Sequence, residues 1–266
     1  MAIIQRVKSW IPRPVKLALK SGFGFLNAGD QPSQLEVGRF GQFDVAYRAH
    51  TSDEAVLSDS FDHDIFFRGI PEYQAAANHV ILDVGAHIGT FAVLAASKVP
   101  QGQVYAVEAC KDSFNYLRIN VALNSLLNVR TSHLALSDRE GKTTLYYDEG
   151  NWGHSIVKKL SPHGETVTTD TLANFMERNG ITECHFAKFN CEGAEFPILL
   201  ASPRATLTRF ETMLVLYHCD LATGHNHNEL VQHLKASGFE TTVRNQSEQR
   251  GWIIATRPEV NDIART

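Results

Sequence analysis

An apolar run, Val80-Ile81-Leu82, ends in an acid and passes over two glycines in the stretch Asp83-Val84-Gly85-Ala86-His87-Ile88-Gly89. Glycines at such a turn let the backbone approach a ligand closely, and a helix starting there offers free N–H groups to a polar partner. A second apolar run, Val104-Tyr105-Ala106-Val107, ends in Glu108, 25 positions beyond Asp83. That is about where an open α/β sheet presents a carboxylate to ribose hydroxyls. Asp83, Gly85, Ala86, His87, Gly89 and Glu108 are therefore the candidate wall of a cofactor site. The spacing Gly-x-x-x-Gly is not the Gly-x-Gly-x-x-Gly of a dinucleotide fingerprint. The competing reading is a plain strand-helix-strand unit whose glycines only serve packing.

Proton chemistry points to a third strand end, where His185-Phe186-Ala187-Lys188-Phe189-Asn190 runs into Cys191-Glu192-Gly193-Ala194-Glu195. Asn190 can hydrogen-bond a substrate hydroxyl or amine, but an amide neither takes a proton nor holds a divalent cation well. The remaining bases are Glu192, ranked first, then His218 at the end of a further strand and His154 in a loop beside Trp152. Each has a structural alternative: Glu192 as an acid complementing a helix dipole, His218 as a strand-closing residue, His154 as part of a solvated loop. Lys188 lies inside its strand and needs a carboxylate partner, which Glu195 or Asp83 could supply. His218, His225, His227 and Asp220 are usable ligand types without fixed geometry, so no metal site is assigned and a divalent metal is disfavoured.

The elements that must position these residues alternate between strand and helix. Strands are predicted over residues 80–84, 103–108, 129–134, 185–190 and 213–218, with helices over 91–96, through Phe114, Leu117 and Val121 behind an Asp112 cap, and over 229–236. Residues 141–147 and 167–169 add short strands, and Asp170 is the expected cap of a helix over 172–178. Strands over 239–243 and 252–256 close the chain. The pattern predicts an α/β fold: a seven-stranded, doubly wound, mostly parallel sheet with an antiparallel edge strand. Upstream, residues 40–49 read as a strand or hairpin arm, residues 53–67 mix acids with aromatics, and Pro71-Glu72-Tyr73 opens a short helix. The expected organisation is a basic arm (1–33), a cap segment (34–79), a core (80–257) and a tail (258–266).

Five stretches in order resemble the FkbM-type methyltransferases, a class I, Rossmann-like family dependent on S-adenosylmethionine. They are the Asp83 to Gly89 loop, the strand ending in Glu108, Asn120-Val121-Ala122-Leu123-Asn124, Ala135-Leu136-Ser137-Asp138, and the Lys188 to Glu195 turn. The resemblance implies methyl transfer, usually to a hydroxyl of a sugar, polyketide or other specialised metabolite in biosynthesis. It also implies that the glycine loop wraps the methionine part, that Glu108 binds the ribose, and that Ser137 and Asp138 lie by the adenine, although Asp138 also reads as a turn former. The family's turn resembles Lys-x-Asp-x-Glu-Gly-x-Glu, and here Asn190 stands at the Asp position. Three readings stay open: the base lies elsewhere, the nucleophile needs none, or the chain is a non-catalytic relative. The expected acceptor is a small molecule methylated at oxygen, with nitrogen next. A nicotinamide-dependent oxidoreductase on a similar sheet and a membrane-surface scaffold are the rivals from other classes.

The chain has 266 residues and a net charge of −4, enough for a full core and without global attraction to nucleic acid. Its four cysteines show no short paired spacing and read as reduced thiols of a cytoplasmic protein. No uninterrupted apolar stretch is long enough to cross a bilayer. Residues 1–29 carry five basic side chains and no acid, with Ile3, Ile4, Val7, Trp10 and Ile11 at helical spacing before Pro12 and Pro14. Such an arm can lie on an anionic membrane, cover a pocket, or pack on its own domain or a twin subunit in a homodimer. Prolines and basic residues interrupt any signal-peptide apolar region.

Overall fold

The computed structural model describes residues 35–148, 153–245 and 247–258; the arm, Trp152 and all but the first residue of the tail lie outside them. The chain begins with a cap. β1 (Leu35–Phe40) and β2 (Phe43–Arg48) form an antiparallel hairpin, and α1 (Asp53–Leu57) continues into one π-helical turn over Ser58–Asp62. The core follows with β3 (Val80–Val84), α2 (Thr90–Lys98), β4 (Gln103–Glu108), α3 (Lys111–Leu123) and β5 (Val129–His133). Next come β6 (Ala135–Ser137), β7 (Gly141–Tyr146), β8 (Gly164–Thr171), α4 (Leu172–Arg178), β9 (Cys184–Phe189), α5 (Glu195–Leu200) and α6 (Arg204–Leu207). β10 (Phe210–His218), α7 (His227–Ala236), β11 (Glu240–Asn245) and β12 (Arg250–Thr256) complete it.

Seven strands form the main sheet in the order β11-β12-β10-β9-β3-β4-β5. From β10 to β5 neighbours run parallel; β12 is antiparallel to both β10 and β11, so the reversed strand lies one place inside the edge. The central strands read as continuous apolar runs because both of their faces are covered. Phe186, Leu214 and Ile81 face a layer containing Phe91, Ala92 and Ala95 of α2, while Ala187, Phe189 and Val215 face Phe196, Leu199 and Leu230 of α5 and α7. The alanines of α2 let it lie close to the sheet, and residues 90–96 of that helix are all buried. β6, β7 and β8 form a separate three-stranded sheet.

Two local expectations are corrected. Residues 71–79 form turns instead of a helix; Tyr73 fixes the segment by stacking on Phe186 at 4.5 Å, so side-chain burial rather than a repeating backbone holds it. The cap of α4 is Thr171, whose hydroxyl accepts the Asn174 N–H at 3.1 Å. Asp170 accepts the Thr171 N–H and Arg178 instead.

Candidate active site

The carboxyl ends of β3, β4 and β9 open on a cavity of about 180 Å³, roofed by Val56, Asp59, Ile65 and Phe66 of the cap. Gly85, Ala86 and His87 of the loop after β3, Glu108 at the end of β4, and Asn190 and Glu192 after β9 all stand in its wall. Parallel strands deliver their carboxyl ends to one edge, so residues more than a hundred positions apart meet there.

The loop after β3 is left-handed at three places: Gly85 (φ 76°), His87 (φ 53°) and Gly89 (φ 87°). A Cβ on Gly85 would lie 1.8 Å from the Asn190 carbonyl oxygen, and one on Gly89 would lie 2.5 Å from Leu117 Cδ1. Both glycines therefore answer to protein neighbours, the β9 turn and α3. Gly85 also faces the cavity, whereas Gly89 caps α2 and is not part of the wall.

Asp83 does not line the cavity either. It is fully buried and pairs with Lys188 at 2.8 Å, and the same Nζ donates to the Gly85 carbonyl at 3.0 Å. Asp83 and Lys188 thus fix the loop from below. Glu108 is nearly buried, and its two oxygens accept the His87 N–H at 2.7 Å and the Cys110 N–H at 2.8 Å. Burial pushes its carboxyl up, against these two bonds, which favour the ionised form.

A group with no signature in the sequence lies beneath His87. Arg48, at the end of β2, is 3 % exposed and forks onto Asp53 through Nε and one terminal nitrogen at 2.9 and 2.8 Å. Its other terminal nitrogen reaches Asp112 at 3.0 Å, and Nη2 also approaches His87 Nε2 at 3.0 Å. Asp112 is accordingly an ion-pair partner; the residue preceding α3 is Cys110. Burial holds His87 down to about 4, so it is a neutral imidazole, and its Nδ1 is buried without a partner among the described residues. Asp59, on the π-helical turn, adds a third carboxylate to the wall, with burial pushing it up. The alternating apolar residues of residues 40–49 were visible in sequence; nothing marked Arg48 or Asp59.

Beyond β9, Glu192 lines the cavity in a left-handed conformation (φ 51°) and its Oε2 lies 3.6 Å from His218 Nε2. His218 itself is not in the wall. It stands behind Glu192, with Nδ1 3.0 Å from Glu195, which is completely buried and also accepts the His218 and Gly193 backbone N–H groups. Burial raises the Glu192 carboxyl against the opposing pull of His218. Burial alone would lower His218, but Glu195 and then Glu192 raise it overall. Gly153 lies so close to Glu192 that a Cβ would stand 2.2 Å from its carboxyl carbon.

His154 also lines the cavity; its Nδ1 accepts the Asp148 N–H at 3.1 Å, and burial holds it near 4. Asn190 presents a buried Oδ1 that has no partner among the described residues. Ser137 and Asp138 bond to each other at 3.1 Å outside the wall, to which their neighbours Ala135 and Leu136 contribute.

The suspected ligand types at the other end do not converge. His218 is held by Glu195, His225 pairs with Glu229 at 2.8 Å, His227 stacks on Tyr217, and Asp220 is bound by Arg250. Among the described residues, Glu183, His185 and Glu211 do come together, by the opposite, amino-terminal ends of β9 and β10. There His185 Nδ1 accepts the Val80 N–H at 3.0 Å, which places its proton on Nε2 and leaves no lone pair for a cation.

The model of the Methyltransferase FkbM domain matches residues 83–241. No curated protein matches the chain. Among solved structures, the chain is similar to methyltransferase FkbM from Methylobacillus flagellatus KT, with a TM-score of 0.52 and 12% identity over 77% of this chain and 53% of that one. This chain thus spans about half the length of that relative, and the likeness is one of fold. Precorrin-6y C5,15-methyltransferase from Geobacter metallireducens GS-15 gives a TM-score of 0.44 and 12% identity, covering 70% of this chain and 83% of that chain. With more than half of its length matched by the domain, the chain belongs to the FkbM methyltransferase family.

Proposed function

We propose that the protein transfers a methyl group from S-adenosylmethionine to a hydroxyl of a small metabolite. One observation carries this reading: the cavity joins a strand-end carboxylate, Glu108, to a second carboxylate, Glu192, that is backed by an imidazole. The unpartnered buried atoms in the same wall, His87 Nδ1 and Asn190 Oδ1, suit a ligand carrying both donors and acceptors. Glu108 would hold the ribose hydroxyls, and Gly85, Ala86 and His87 the amino-acid end. When bound, S-adenosylmethionine supplies an electrophilic methyl group.

The chain's own residues then orient the acceptor and take its proton. Holding a nucleophile in line can lower a barrier by about 7–11 kcal/mol in favourable cases, and a general base adds about 10²–10⁴-fold for a hydroxyl. Asn190 orients the acceptor; Glu192 is the base. A neutral amine needs no such base, so the backed carboxylate favours oxygen over nitrogen. The net charge of −4 offers nucleic acid no general attraction, which favours a small-molecule acceptor. With an amide at residue 190, we propose a reaction that needs no divalent metal. Four free cysteines support a reducing, cytoplasmic setting, and among the described residues no helix is long and apolar enough to cross a membrane. A role for the basic arm in membrane or twin-subunit contact stays a proposal of the sequence alone.

Titration calorimetry with S-adenosylmethionine and S-adenosylhomocysteine, with and without magnesium, is the first test, followed by a screen of sugar, phenol and amine acceptors for S-adenosylhomocysteine release. Binding of both ligands without magnesium and turnover on a hydroxyl acceptor are expected. Binding of neither ligand would refute the reading.

A further inference from the structure

The sequence places Glu195 in the turn after β9 as a possible partner of Lys188; in the structure it is turned to His218 instead. Its carboxylate is 0% exposed; Oε2 accepts the Gly193 N–H at 3.0 Å, and Oε1 accepts the His218 N–H at 2.7 Å and faces His218 Nδ1 at 3.0 Å. Both oxygens of Glu195 thus face N–H donors and act as acceptors. The proton of neutral His218 is therefore on Nδ1, and Nε2 faces Glu192 Oε2 at 3.6 Å, beyond hydrogen-bond length. The remaining charged neighbours are Arg250 of β12 and Asp220 after β10, and these neutralise each other through bonds of 2.8 to 3.2 Å. Lys188 stands in the same cavity wall but is bound to Asp83 and the Gly85 carbonyl. Of Glu192, His218 and Glu195, Glu192 alone faces the cavity.

We propose that Glu192, His218 and Glu195 form a proton relay: Glu192 takes the proton of the acceptor hydroxyl, and the proton comes to rest on His218 Nε2. The inference rests on the hydroxyl-methylating reading above. In the step, the acceptor oxygen forms its bond to the methyl carbon as the carbon–sulfur bond breaks with its electron pair left on sulfur. In the reactive form Glu192 is ionised and His218 neutral; the hydroxyl proton moves to Glu192, which closes the 3.6 Å gap to hydrogen-bond length and hands a proton to Nε2, ending as a carboxylate beside an imidazolium. Glu192 is the catalytic residue. His218 and Glu195 are positioning residues, Glu195 by fixing the tautomer. The relay explains how a carboxylate at this turn can serve although Asn190 cannot: the proton leaves the cavity for a site held between two acids.

The test is ¹⁵N NMR of imidazole-labelled protein, free and with S-adenosylhomocysteine. The expected result is that Nδ1 of His218 carries a proton throughout the titration while Nε2 alone titrates, and that Glu192→Gln lowers the pH of Nε2 protonation by about 1–3, the range for loss of one close opposite charge. Glu195→Gln is expected to lose the fixed tautomer; because that variant strips a buried anchor, Glu192→Gln, at the cavity surface, keeps the test decisive if it fails to fold. A proton on Nε2 in neutral His218, or unchanged titration in Glu192→Gln, would overturn the relay. Calorimetry on the same samples separates the two readings, since unaltered S-adenosylhomocysteine binding with an uncoupled His218 removes the relay alone.

Discussion

Lys188→Met removes the cation from beneath the glycine loop without removing volume. The Lys188–Asp83 pair is 2.8 Å long, with side chains 4% and 0% exposed, and Asp83 Oδ2 already lacks a partner. Stranding one member of a buried pair costs about 3–5 kcal/mol, a large share of the roughly 5–15 kcal/mol that stabilises a typical domain. The stranded acid has one escape, which is to take a proton. Burial already raises Asp83 while Lys188 holds it back, so without Lys188 its folded-state value rises further above the unfolded one. A carboxyl raised in the folded state binds protons preferentially there, so stability falls as pH rises between the unfolded and folded values, by up to about 1.4 kcal/mol per pH unit. Urea unfolding followed by circular dichroism should therefore show a smaller penalty at about pH 5 than at about pH 8. The double variant Asp83→Leu, Lys188→Met should recover much of the loss, because a buried pair replaced by apolar groups is often neutral. A penalty below about 1 kcal/mol, or one independent of pH, would refute the argument that this pair carries the loop.

Glu108→Ala should weaken S-adenosylmethionine binding by about 1.5–3 kcal/mol, the worth of hydrogen bonds to a charged group, and unchanged affinity in calorimetry would show that this acid does not meet the cofactor. Asn120→Leu strands the Ala46 N–H and two carbonyls, those of Ala46 and Ile88. At about 1–3 kcal/mol per unsatisfied buried group, hydrogen exchange should rise first in the hairpin β1–β2, whereas an even rise across the central strands would contradict local docking. His87 and His154 should remain neutral down to about pH 4, because burial opposes the imidazolium in both; an imidazolium signal from either at about pH 6 would count against their placement.

What was legible in the sequence is what a local period can encode. β3, β4, β9 and β10 stand out as apolar runs because each is buried on both faces, and Glu108 was found because it ends one of them. The partner of Lys188 was narrowed to two acids and no further. Register decides it: Asp83 lies directly opposite Lys188 in the parallel pairing of β3 with β9. The glycines were read for a ligand, yet their tightest neighbours are Asn190 and Leu117, contacts that only the assembled sheet and helix reveal. The role of Glu195 was missed because the sequence offered it only as a partner for Lys188, and its actual partner His218 lies 23 positions on.

The cap was illegible for a related reason, since its docking relies on more than an apolar stripe. Asn120 bonds both the N–H and the carbonyl of Ala46, and Asn124 does the same for Asp44. Four residues of α-helix rise about 6 Å and two residues of strand about 6.6 Å, so asparagines at i and i+4 of α3 match alternate residues along the free edge of β2. The helix thus stands in for a third strand, with side-chain amides replacing a backbone ladder. The next outward residue in that alternation is Arg48, which reaches Asp112 on the same helix and His87 in the loop, while Asn120 also holds the Ile88 carbonyl of that loop. The edge that docks the cap is therefore continuous with the turn that frames the cavity. A loosened hairpin must disturb His87 before it disturbs the sheet, and this couples the cap to the loop after β3 through three side chains, Arg48, Asn120 and Asn124.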